Sequence, residues 1–421
     1  MAQPRSRLHH STSQPISRRR FLATTTAACT APLFVPSTAF GANDRIHMAA
    51  IGVGNRGRDD MRGLLRFREV QMGAVCDVVA THCDQAKGMV DAHYENKDCK
   101  VYTDFRDVVR LPNIDAVMIG TPDHWHAIVS VEAMKNGKDV FCEKPESLTV
   151  RQGRVMTETA RRYGRVFSGG SQRVWQDYNW YHRMVRGGAI GDVREAWVNV
   201  GGPSGPCLLP PVATPSDVDW DLWLGPAPER PFHPSLIRGG FRPFRDYSGG
   251  GMTDWGCHGF GGALFTCNLH ETGPVKITPP DGKDVKQLTF RFANGVRIYH
   301  GGGWGGLLSF RGTHGECPAR GQPRMQPPAI HIPNYKGSGG LLGDFLHCVR
   351  SREKPFRDIE LGHRTASLCH LGNIAYWLGR PLRWDPENEQ ILGDPEANRW
   401  LDRPLREPWV LTSGVGREVA V

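Results

Sequence analysis

The rhythm of apolar and polar positions changes near residue 170. Before it, short apolar runs alternate with amphipathic stretches of about helical length. Residues 47–53 form an apolar run ending in a glycine loop, and 59–67 follow with helical periodicity. Residues 70–76 read as a second strand closed by Asp77, and 114–119 as a third, followed by a helix over about 127–136. A strand at 140–142, a helix over about 150–163 and a new strand from Val166 complete the series. Such alternation predicts an α/β fold, a doubly wound parallel sheet covered on both faces.

After Gly170 the texture differs. Gly and Pro are dense over 201–243, β-like runs occupy 193–200, 287–292 and 296–300, and Asn294-Gly295 is a hairpin-turn signal. Residues 301–336 carry little pattern and are expected to form a long loop, with helices resuming over 341–350 and 362–378. This predicts a second, α+β domain with a mainly antiparallel sheet. The expected division is a leader over 1–42, a doubly wound domain over 43–169, an α+β domain over 170–401 and a tail over 402–421.

The leader changes how the charge is read. The chain has 421 residues and a formal charge of +9. Residues 1–42 hold Arg5, Arg7, Arg18, Arg19 and Arg20 and no acid, so the remainder carries an ordinary +4. No basic run with interleaved aromatics occurs elsewhere, which argues against nucleic-acid binding. Ser17-Arg18-Arg19-Arg20-Phe21-Leu22, a weakly apolar segment and then small residues read as a twin-arginine export signal, with a periplasmic destination. Cleavage is expected around 39–42, and Cys29 lacks a good lipidation context. The apolar stretch over 21–35 is too short to span a bilayer. Ten cysteines follow the leader without a Cys-x-x-Cys pair, so no structural metal site is expected.

Candidate chemistry sits at the predicted strand ends. Gly52-Val53-Gly54-Asn55-Arg56-Gly57 follows a strand and opens a helix, and Asp77 stands twenty residues after Gly57. That context is the dinucleotide fingerprint of a Rossmann domain: glycines let the backbone approach a pyrophosphate, and Asp77 accepts from ribose hydroxyls. Asp77 favours NAD over NADP, while Arg56 is a possible partner for a 2′-phosphate and leaves the choice open. Thr121, Pro122, His124 and His126 follow the next strand and are expected to border the cofactor. Glu143-Lys144-Pro145 follows the strand after that, with Pro145, in cis or trans, aiming Lys144 into the crevice. Farther on, Asp254 and His258 stand four apart. On one helix face the carboxylate would orient the imidazole and favour its charged form.

These stretches, with Trp220-Asp221-Leu222-Trp223-Leu224-Gly225-Pro226 and Cys369-His370-Leu371-Gly372-Asn373, resemble the glucose-fructose oxidoreductase/inositol dehydrogenase/rhizopine-catabolism (Gfo/Idh/MocA) family, in a secreted twin-arginine subgroup. The resemblance spans about 44–401. It implies a Rossmann domain, a C-terminal domain whose open sheet mediates homo-oligomers, and Lys144, Asp254 and His258 as catalytic residues. It also marks a departure: Gly261 stands where many members carry an acid or amide. Expected from this is NAD(P)-dependent hydride transfer on a sugar, polyol or sugar derivative, with a tightly bound cofactor. Two alternatives stand beside it: a redox-neutral NAD-dependent glycosidase or lyase, and a nucleotide- or sugar-binding protein without catalysis. Arg242, Arg245 and Tyr247, just before the glycine run, are candidates to reach the sugar.

Overall fold

The computed structural model describes residues 45–413; the twin-arginine leader, Cys29 and the expected cleavage site lie outside them. Six strands form the first sheet: β1 (Ile46–Ile51), β2 (Val70–Cys76), β3 (Lys100–Tyr102), β4 (Ala116–Ile119), β5 (Asp139–Cys142) and β6 (Phe167–Gly169). Their order is β3-β2-β1-β4-β5-β6, all parallel. Between them run helices α1 (Asn55–Leu65), α2 (Ala80–Tyr94), α3 (Phe105–Val109), α4 (Asp123–Lys135) and α5 (Val150–Arg162). The central strands are buried on both faces, which is why they read as continuous apolar runs. The first helix begins at Asn55, four residues before its apolar periodicity, because Asn55 to Arg58 is polar and faces the loop.

The order reverses between β1 and β4, and the loops of that edge are laced together. Gly52 N–H donates to Cys76 O (2.8 Å), Gly120 N–H to Ile51 O (2.8 Å), Glu143 N–H to Ile119 O (2.9 Å) and Gly170 N–H to Cys142 O (2.7 Å). Each strand thus hands its exit loop to its neighbour, and the carboxyl edge becomes a continuous wall beside the switch point where ligands bind in such sheets.

The second region opens with α6 (Asn179–Arg186) and builds an eight-stranded sheet from β7 (Val193–Val198), β8 (Lys276–Thr278), β9 (Thr289–Arg291), β10 (Arg297–His300), β11 (Leu308–Gly312), β12 (Glu316–Cys317), β13 (Leu382–Asp385) and β14 (Gln390–Ile391). The order is β12-β11-β7-β10-β9-β8-β13-β14, antiparallel except for β7 with β10. Asn294-Gly295 does turn the β9–β10 hairpin, with Gly295 at φ +88°. The expected loop over 301–336 is corrected here: it contains β11 and β12. Both are short and Gly-flanked, so their period-2 pattern is too brief to read, yet Leu308 and Phe310 are fully buried.

Helices α7 (Trp220–Leu224), α8 (Gly251–Asp254), α9 (Gly256–Thr266), α10 (Gly340–Ser351) and α11 (Ile359–Leu378) complete the region. One sheet face packs Ala196, Val198, Ile298, Phe290 and Phe310 against Phe260, Leu264, Leu368 and Leu371 of α9 and α11. Helix α10 instead returns to the first sheet, where Leu341, Phe345 and Leu346 share a core with Met48, Met61 and Phe141. The chain therefore crosses between the two sheets more than once.

Candidate active site

The glycine fingerprint divides by steric role. Gly52 has φ +78°, and a Cβ there would lie 2.4 Å from Thr121 N; one on Gly57 would lie 1.9 Å from Gly52 O. These two glycines are required by the protein's own packing. Gly54 is different: the nearest atom to its virtual Cβ is 3.8 Å away, on His82. An open glycine at the N-cap of α1, whose first turn carries no acid and whose cap receives no side-chain hydrogen bond, leaves free N–H groups facing an open approach. Asn55 accepts from Arg58 (3.0 Å) and so keeps away from that approach. Asp77 closes β2, with Oδ1 accepting from Val79 N–H (3.0 Å) and 3.3 Å from His82 Nδ1. Asp77, Gly52 and Thr121 line one crevice with Val78, Phe105 and Leu222, about 430 Å³ in empty volume. The residues present fit the phosphates and ribose of a dinucleotide.

The Arg56 guanidinium meets two carboxylates, Glu143 (Nε–Oε1 3.1 Å) and Asp60 (2.6 Å). Burial and the neighbouring Glu143 push the Asp60 carboxyl well up despite Arg56. Asp60 and Glu143 are buried, whereas Arg56 is exposed above them.

His124 and His126 hold loops together. His126 lies between Pro145 O (2.7 Å) and Thr121 O (2.8 Å), tying the exits of β4 and β5. His124 is buried, with Nε2 2.9 Å from Trp223 O, and burial pushes its pKa down to about 3. Pro122 caps α4, and the Lys144–Pro145 peptide is cis.

Lys144 is largely buried, and its Nζ donates to Asp254 Oδ1 at 2.5 Å. This pair joins the edge of the first sheet to the helix beside the second. Burial works against charge on the lysine, but Glu143 and Asp254 outweigh it and raise its pKa. Burial also works against charge on Asp254, where Lys144 and then Arg242 (Nε–Oδ1 3.3 Å) prevail and lower its pKa.

The expected Asp254–His258 pairing is not formed. The helix is broken at Trp255 between α8 and α9, and two cations outcompete a neutral imidazole for the carboxylate. His258 keeps a buried Nδ1 without a hydrogen-bond partner. Burial, reinforced by Lys144, Arg173 and Arg357, pushes its pKa down to about 2. The ring is therefore neutral, the opposite of the charged form expected from spacing. Lys144, Asp254, Arg242 and His258 nonetheless converge.

Of the other candidates near the glycine run, Tyr247 is fully buried against His124 and Trp223, and Arg245 stacks on Trp377 and Trp400. Gly261 lies inside α9, its virtual Cβ 3.0 Å from Val174. Two side chains support the glycine run in ways the sequence does not show. Asn373 of α11 donates to Gly249 O (2.8 Å), and Ser248 donates to the buried Asp123 (2.5 Å). Together they fix the glycine run that leads into Asp254. Asn373 closes the Cys369–Asn373 stretch singled out in the sequence, but its role, and that of Ser248, shows only in the fold.

Comparison with known proteins follows the same lines. Residues 46–171 match the model of an oxidoreductase family's NAD-binding Rossmann fold, and 197–411 match that family's C-terminal alpha/beta domain. A glycosyl hydrolase family 109 protein of Shewanella putrefaciens is 33% identical over 123 residues, 28% of this chain and 27% of that protein. The chain thus matches about a quarter of the length of such curated relatives. Scyllo-inositol dehydrogenase from Lactobacillus casei, solved with bound NAD(H) and scyllo-inositol, superposes with a TM-score of 0.56 at 16% identity, covering 80% of this chain and 99% of that one. Aldose-aldose oxidoreductase from Caulobacter crescentus gives 0.54 at 18% identity, covering 80% and 99%. At such identities the two structures speak to fold alone. The family models span both regions of the described chain: it belongs to the Gfo/Idh/MocA oxidoreductase family.

Proposed function

We propose that the protein oxidises a hydroxyl-bearing carbon of a sugar, polyol or sugar derivative to the carbonyl with NAD, or reduces that carbonyl with NADH. The observation that carries this is the Lys144–Asp254 pair, made across two regions at the carboxyl edge of the first sheet and beside His258. NAD, when bound, supplies the hydride acceptor. Asp254 and Glu143 keep Lys144 Nζ protonated, so it donates to the substrate oxygen and stabilises negative charge developing there. The neutral imidazole of His258 accepts the hydroxyl proton. Burial and the nearby cations prevent it from keeping that proton, which leaves to water. Arg242 shares Asp254 Oδ1 with Lys144 and adds to the charge that holds the carboxylate ionised. Asp77 and the engagement of Arg56 by carboxylates support NAD over NADP.

A second reading is redox-neutral chemistry on a glycoside. Oxidation of a ring hydroxyl to a ketone acidifies the adjacent C–H, elimination releases the aglycone, and water addition with re-reduction restores the cofactor. Similarity to proteins named glycosyl hydrolase family 109 favours it. So does the twin-arginine motif, which supports export of a folded, cofactor-loaded protein to the periplasm by that machinery. Among the described residues no helix is long and apolar enough to cross a membrane. The outer face of the eight-stranded sheet, where half-buried Tyr299 and Arg311 cover the buried Trp197, supports homo-oligomerisation.

A panel of polyols, aldoses and aryl glycosides, assayed with and without added NAD, decides between the readings. Stoichiometric growth of absorbance at 340 nm with added NAD marks the dehydrogenase. Aglycone release without added NAD and without change at 340 nm marks the redox-neutral enzyme. Inactivity of NAD-loaded protein on the whole panel would overturn both.

A further inference from the structure

The Pro- and Gly-rich stretch between β7 and α8 is not a free loop. Residues 217–225 cross from the second region onto the first sheet and lie over the crevice that Asp77 borders. At one end, Val218 pairs with Val79 as an antiparallel bridge, Ala80 N–H donates to Asp217 O (2.9 Å) and Asp219 N–H to Val78 O (2.8 Å). Asp219 then caps α7 through Leu222 N–H (2.9 Å). At the other end, Trp125 Nε1 donates to Leu222 O and Trp223 O, both at 3.1 Å, and His124 Nε2 reaches Trp223 O. Gly225, at φ +49°, lies where a Cβ would be 2.0 Å from the Trp125 ring. From outside, Arg406 binds Asp221 Oδ1 (2.6 Å), Asp221 O (2.9 Å) and Gly225 O (2.8 Å).

The strap is thus fastened on three sides, and Leu222 forms its underside within the crevice. Opposite lie Phe105, Trp125 and Val129, an apolar slot with Asp77 at its rim. An apolar slot beside a carboxylate suits a flat base with its ribose. With pyrophosphate at the N-terminus of α1, the adenosine half of a dinucleotide falls here. Release of that half requires the strap to lift, which breaks the bonds at Val78, Ala80 and Trp125 together.

We propose that residues 217–225 clamp the adenosine end of the nucleotide, with Leu222 as lid and Trp125 as latch, so that the cofactor stays bound through successive turnovers. This rests on the NAD-binding reading above and adds retention to it. The test measures the nucleotide itself. Full-length protein would be loaded with NAD and desalted, and the nucleotide per protomer counted after acid release. Exchange against isotopically labelled NAD would then be followed by mass spectrometry. Wild type should keep its NAD through desalting. Trp125→Phe, which keeps the ring but loses the donor, and Leu222→Ala should each exchange about tenfold faster or more. Arg406→Ala, which touches only the outside of the strap, should accelerate exchange less while leaving the crevice intact. Circular dichroism would confirm that each variant folds. Wild type that exchanges as fast as the two crevice variants, or variants that retain NAD equally, would overturn the clamp while leaving NAD binding in place. Wild type that takes up no NAD by equilibrium dialysis would overturn the clamp and the reading beneath it.

Discussion

Spacing makes Asp254 and His258 look like partners, yet charge decides otherwise. A carboxylate offered a neutral imidazole four residues on and an ammonium 2.5 Å away on another loop takes the ammonium. Lys144 then becomes the residue whose state the site controls, and His258 a neutral acceptor surrounded by cations. Asp254→Asn should leave NAD affinity near wild type while lowering kcat about a hundredfold, because Lys144 loses the partner that aims it. Loss of NAD binding instead would make Asp254 a structural strut. With its pKa near 2, His258 is neutral far below the ordinary histidine range, so its ring resonances should not titrate between pH 8 and 5 in nitrogen-labelled protein. The sign for stability follows. This depressed group contributes fully above pH 6.5, and its contribution is lost as pH falls toward 2. A midpoint near 6.5 would show that the ring is solvated or paired with an anion. The depressed His258 was not legible in the sequence, because Lys144, Arg173 and Arg357 lie far from it along the chain.

At the level of elements, much was readable where the local rule and the tertiary demand coincide. The parallel strands showed as apolar runs, and the fingerprint showed because strand, glycine turn and helix are contiguous. What stayed hidden was brief or borrowed: β11 and β12 are too short for a pattern, and α7 is held by bonds to a distant helix. The glycines of the first turn offer a test of which constraint is which. Gly52→Ala places a Cβ against Thr121 N at a positive φ and should destabilise the fold by about 2–4 kcal/mol, seen as a lower thermal midpoint. Gly54→Val meets no protein atom closer than 3.8 Å at its Cβ. It should keep the midpoint and weaken NAD binding by tenfold or more in calorimetric titration, because only the ligand occupies that space. Equal destabilisation by both changes would make Gly54 a folding residue.

At the scale of the whole molecule, the two sheets are not independent. Phe345 of α10 sits at zero exposure against Phe141 of β5, with ring centroids 5.8 Å apart, although some 200 residues separate them. Arg352 at the end of the same helix binds the buried Asp139 (2.5 Å), and Arg154 of α5 binds Glu360 and Glu389. Unfolding should therefore occur as one calorimetric transition, and Phe345→Ala should lower it by about 3–5 kcal/mol without splitting it. Two separate peaks would show that each sheet folds alone.

The strap over 217–225 finally bears on what sets the direction of the reaction. A nucleotide that trades freely with the surroundings drives its enzyme toward whatever oxidation state the cell maintains. A nucleotide fastened under Leu222 is insulated from that pool. On the proposed clamp, the oxidation state left by one substrate molecule would be inherited by the next, and the substrates' concentrations alone would decide which way the protein runs.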